Sequence, residues 1–158
     1  MRIVVLLTVS AYLFVACNNA TTHSAIVDST KTLPAYKPGF GEFMSGIQVH
    51  HAKLWFAGIN QNWPLADFEI NEMKESIDNL KLYQQARVET KHLGMIDGPL
   101  DSVAHSISNK DEAGFRKNFL LLTNTCNNCH HEVNFEFNKV KIPDTPPFSN
   151  QEFSPAKQ

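Results

Sequence analysis

The sequence predicts an all-α domain: an antiparallel four-helix bundle, preceded by a signal and linker segment and followed by a Pro-rich extended tail. Three observations predict it. Apolar residues recur at helical spacing in four stretches between residues 39 and 137, Asn, Gly and Pro punctuate the gaps, and no strand precedes the late cysteine motif. With 158 residues and a formal charge of −2, the chain suits one domain with a real core and gives no sign of nucleic-acid binding.

Residues 1–16 read as a lipoprotein-type signal peptide. Met1-Arg2 is a short positive start, and Ile3 to Val15 is an apolar run too short for a membrane span. It ends in Phe14-Val15-Ala16-Cys17, which resembles a bacterial lipobox with Phe14 where Leu is usual. The likeness implies that Cys17 is lipidated and becomes the new N-terminus, tethering the domain to a membrane surface without spanning it. An ordinary secretory signal with an incidental Cys is the plainer alternative. Residues 17–38 are rich in Asn, Ala, Thr and Ser, hold no period, and read as a flexible linker with His23 solvated inside it.

The helical domain, residues 39–138, opens with a helix over Gly39 to Gly58. At about 100° per residue, Phe40, Phe43, Met44, Ile47, His51, Leu54 and Gly58 share one face. Val49 and Phe56 fall outside it and call for a second contact. Asn60 to Asn62 breaks the chain, and Pro64 suits the first turn of a second helix running to about Arg87. Ala66, Ile70, Met73, Ile77 and Leu80 form its apolar row, and Glu69 and Glu72 read as a solvated flank, not an acid–base pair.

The pattern breaks around Leu93 to Pro99 and restarts as a short third helix marked by Leu100, Val103, Ala104 and Ile107, with His105 at the surface. Ser108 to Glu112 supplies N-cap residues and first-turn carboxylates for a fourth helix reaching about Phe137. Phe115, Phe119, Leu122, Cys126, Cys129, Val133 and Phe137 share its stripe, and His131 turns about 100° away from His130. Residues 139–158 form the tail, with Phe148 and Phe153 as candidates to fold back over the bundle.

Inside the fourth stripe lies Cys126-Asn127-Asn128-Cys129-His130, the C-x-x-C-H sequence that attaches a c-type haem. Two thiols three positions apart lie on one side of a helical turn and can add to the two vinyl groups at one edge of a porphyrin. His130 then comes under the ring as proximal iron ligand. A thioredoxin-like pair would instead open a helix after a strand. Zinc would need two further ligands at finger-like spacing, and no second C-x-x-C exists. A disulfide between the two would close only a tiny loop.

Four helices, this motif late in the last, and an apolar first helix facing it resemble the cytochrome c′ class of four-helix-bundle cytochromes over about Gly39 to Phe137. The runs His50-His51-Ala52-Lys53-Leu54-Trp55-Phe56-Ala57-Gly58, Asn62-Trp63-Pro64-Leu65-Ala66 and Pro147-Phe148-Ser149-Asn150-Gln151 are similar to a group of small exported bacterial C-x-x-C-H proteins, a likeness that implies no particular activity. The cytochrome c′ resemblance implies that the first helix supplies the far side of the iron. His51, at the centre of the apolar stripe, is the candidate sixth ligand, Met44 is the alternative, and an open or other distal side is the third option. The two side chains lie two turns apart, on the order of 10 Å, so only one can reach the metal. Lys53, Arg87 and Arg116 are the possible propionate partners.

The expected function is therefore that of an exported c-type cytochrome with one covalent haem, transferring single electrons to a redox partner protein. It would be lipid-anchored on the periplasmic side of the bacterial cell envelope, or else soluble in the periplasm. A haem-based small-gas binder of cytochrome c′ type is the alternative, and a haem-free structural lipoprotein the third reading. An electron carrier is expected here and not a catalyst: no Ser-His-Asp pattern, phosphate loop or dinucleotide glycine motif is visible.

Overall fold

A computed structural model describes residues 36–157; the expected signal peptide, Cys17 and nearly all of the linker lie outside the described residues. Four α-helices follow in order: α1 (Phe40–Ile59), α2 (Trp63–Tyr83), α3 (Asp97–Ser108) and α4 (Glu112–Glu132), with a 3-10 helix at Glu89–Ile96. No strand occurs among the described residues, and no helix there is long and apolar enough to cross a membrane. α1 packs on α2, α2 on α3, α3 on α4 and α4 back on α1, the last seam being the least closely joined. The 3-10 helix fits against α2, α3 and α4.

Local chemistry sets these boundaries. Asn62 caps α2 by accepting from the Leu65 N–H, with Pro64 in the first turn, and Asp111 caps α4 by accepting from Gly114 N–H at 3.0 Å. The core closes on aromatic rings: Trp55 and Trp63 meet Phe115, which packs on Phe119. Gly58 is required where it stands, because a Cβ there would lie 2.1 Å from the Phe115 ring. Phe56, outside the stripe, is covered by Phe153 of the tail at 5.7 Å between centroids. Phe148 folds back only as far as Lys53 and stays exposed.

Several expectations are corrected. α2 ends at Tyr83, not near Arg87, because Gln84 caps it: its N–H bonds Leu80 O, its side-chain amide donates to Pro38 O, and its carbonyl accepts from the Thr90 hydroxyl. The break at Leu93 to Pro99 is the 3-10 helix running into α3, whose first turn accommodates Pro99. α4 stops at Glu132, so Phe137 leaves the stripe and is 79% exposed. Asn134 there takes a φ of 60°, its N–H bonds His131 O, and the Phe135 N–H bonds His130 O, which is a Schellman stop.

Glu69 is no solvated flank. It is wholly buried between α1 and α2, where it meets His50 Nδ1 at 2.7 Å and faces the Lys53 ammonium at 3.7 Å. The apolar row of α2 is one residue wider on that side than its periodicity suggests, and two basic groups of α1 offset the carboxylate.

Candidate cofactor site

The last two turns of α4 carry Cys126, Cys129 and His130. Both thiols are free and half-buried. Burial pushes the Cys126 thiol up to about 12, with Cys129 adding to the effect; burial and then Glu132 also raise Cys129. Both are therefore protonated near neutral pH, the opposite of the low-pKa thiol that drives disulfide exchange. Among the described residues no three His, Cys, Asp or Glu side chains converge as a bare metal site would need.

The two cysteines open on to adjoining clefts. Cys129 borders one of about 280 Å³, walled by Phe40, Met44 and Gln48 of α1, by Arg87, Glu89 and Leu93, and by Val133 and Phe135 beyond α4. Cys126 borders a smaller one of about 50 Å³, between Ile47 and His51 of α1 and Val140 of the tail. Met44, Gln48, His130 and Asn138 line both. The Cys129 cleft approaches the lower end of the usual range for small-molecule and cofactor sites, about 300 Å³.

His130 sits where the clefts meet, and its ring is oriented. Nδ1 lies 2.6 Å from the carbonyl oxygen of Asn138. A carbonyl can only accept, so Nδ1 carries the proton, and in the neutral ring the lone pair belongs to Nε2. Metal-binding histidines are held in this way by a backbone carbonyl. The Schellman stop makes it possible, turning the chain back after Asn134 so that Asn138 passes beside the ring.

His51 is committed differently. Its Nε2 lies 2.9 Å from the Thr123 hydroxyl, whose own proton goes to Phe119 O at 2.9 Å. Thr123 must then accept, so the proton of His51 is on Nε2. The ring packs on Phe119 at 4.5 Å, and burial lowers its pKa to about 4, so it is neutral. Met44 has no such engagement and lines both clefts.

Of the three cations singled out from the sequence, only Arg87 lines a cleft; it pairs with Glu89 through Nε at 3.1 Å and lies over the Phe40 ring. That pairing holds the Glu89 carboxylate below its ordinary range. Lys53 faces Glu69, and Arg116 pairs with Glu112 over Trp55. Sequence reasoning missed Gln48, Glu89, Asn127 and Asn138, because nothing in helical periodicity marks a cleft-lining polar residue or a carbonyl beyond a helix end.

Two protonated thiols on one turn, an imidazole with its second nitrogen tied to a carbonyl, and two adjoining clefts that share His130 form a donor set that fits a covalently held haem. Compared with protein-family models, curated proteins and solved structures, the chain has no significant match.

Proposed function

We propose that this chain is an exported, lipid-anchored c-type cytochrome, an antiparallel bundle carrying one haem through thioethers to Cys126 and Cys129. Each thioether would form by addition of S–H across a vinyl C=C, the sulfur bonding to one carbon and the hydrogen to the other. The observation that carries the reading is the Nδ1–H···O=C bond from His130 to Asn138, which leaves Nε2 free as proximal ligand where the Cys129 and Cys126 clefts adjoin. Bound there, haem iron supplies a one-electron couple. The chain's residues would do the rest: Phe40, Met44 and Leu93 would exclude water from the bound group, and Arg87, paired with Glu89, is the cation of the cleft that would meet its propionates.

The test is expression of the full chain with haem-attachment machinery, followed by haem staining after denaturing electrophoresis. Wild type should keep its haem, and the Cys126→Ala/Cys129→Ala variant should lose it. A haem-negative wild-type band overturns the reading.

The gas-binding alternative draws support from His51, whose Nε2 proton is already given to Thr123. Ligation through Nε2 would break that bond, so His51 keeps only Nδ1 for a metal, and Met44, which has no such engagement, or no protein group is favoured as the sixth ligand. The reduced spectrum separates the two functions: sharp bands unmoved by CO mean electron transfer, and a broad band that shifts with CO means gas binding. A Met44→Leu variant that opens a CO-insensitive protein to CO identifies Met44 as the closing ligand.

A further inference from the structure

Asn127, the first residue between the two cysteines, makes a two-point contact with the returning tail. Its Nδ2 donates to the Val140 carbonyl at 2.8 Å, and its Oδ1 accepts from the Val140 N–H at 2.8 Å. One carboxamide thus satisfies the donor and the acceptor of a single backbone residue. Two positions earlier, the carbonyl of Asn138 takes the Nδ1–H of His130. Asn127 and His130 are one turn apart on α4, so the helix grips the same short segment at both ends.

We propose that Asn127 is a positioning residue for His130: it pins residues 138–140 so that the Asn138 carbonyl fixes the tautomer and plane of the imidazole. This rests on the reading of His130 as proximal iron ligand.

The physical need is clear from what else holds that carbonyl. Residues 133–140 carry no helix beyond the Schellman stop, Asn138 is exposed, and its own N–H is tied only to Phe135 O inside the same loop. Released from Val140, the carbonyl would turn to water. His130 Nδ1 would then lose its fixed acceptor, and the neutral ring would be free to carry its proton on Nε2, the nitrogen the iron needs. An Nδ1–H bond to a carbonyl also makes the imidazole a stronger donor, which favours the ferric state.

Two readouts test the assignment. In the full chain expressed without attachment machinery, ring-nitrogen NMR should find His130 of wild type with its proton on Nδ1, and Asn127→Ala should move it toward Nε2. In the haem-loaded protein, Asn127→Ala should raise the reduction potential, a tenfold loss of ferric preference corresponding to about 59 mV for a one-electron couple. Asn127→Asp keeps the acceptor for Val140 N–H and loses the donor, so it should fall between the two and serves if the alanine variant does not fold. An unchanged tautomer and potential in the variants, with only a lower melting temperature, overturns the proposal. Absence of haem from the wild-type gel band overturns the proximal-ligand reading instead, and the tautomer measurement still reports on Asn127.

Discussion

One face of α4 passes through two kinds of surroundings. Phe115, Phe119 and Leu122 are wholly buried, the two phenylalanines against Trp55, Gly58 and Trp63, while within the next two turns Cys126 and Cys129 border open clefts. The stripe is continuous in sequence, but its partners change. At the first end α1 offers a glycine and aromatic rings that interlock; at the second it offers Phe40, Met44 and Gln48, which do not close on α4. The difference teaches that the same helical pattern can build a core or frame a site, depending on what the facing helix brings.

The contrast can be broken at its packed end first. Phe115→Ala should cost about 3–5 kcal/mol by transfer and cavity terms, read from denaturant unfolding. Val133→Ala at the open end should cost less than about 1 kcal/mol, since that side chain already borders space. Equal losses would mean that the two ends are packed alike.

His51 lies at the boundary between the ends. Its pKa of about 4 in the folded chain, against an ordinary 6.5, means that the unfolded state binds the extra proton between those values. Stability is therefore full above about pH 6.5 and declines as pH falls toward 4, by on the order of 3 kcal/mol at about 1.4 kcal/mol per unit. Replacement by Leu should flatten that slope in the haem-free chain. A slope that survives in His51→Leu assigns the effect to other groups.

Gly58→Ala should cost about 1–3 kcal/mol, because the new methyl meets the Phe115 ring and the ring has little room to retreat. A neutral melting temperature would mean that the aromatic core shifts easily. Asn62→Ala should cost about 1 kcal/mol, from loss of the α2 cap and of the bond to Ser154 O. If that variant also loosens the tail, limited proteolysis beyond residue 140 should accelerate.

Most of the helical architecture was legible. The stripes on α1, α3 and α4 predicted Ile47, Leu54, Leu100, Val103, Phe115 and Phe119 as core, and Asn62 and Asp111 act as caps. The end of α4 was overrun because Val133 and Phe137 continue its spacing. Asn134, a residue that tolerates positive φ just past a helix, was the available stop signal. Glu69 was misread because a charge one position from an apolar row looks solvated until the opposing helix supplies His50 and Lys53.

The chain by itself determined where helices form and that two thiols and an imidazole share one turn, since both follow from spacing along a single helix. Only the tertiary structure decided what those groups face and which nitrogen of His51 and of His130 holds its proton. Thr123 lies 72 residues from His51, and Asn138 reaches His130 only after the chain reverses beyond α4. Hydrogen-bond partners of that kind depend on how helices and loops meet in space, which no local periodicity encodes.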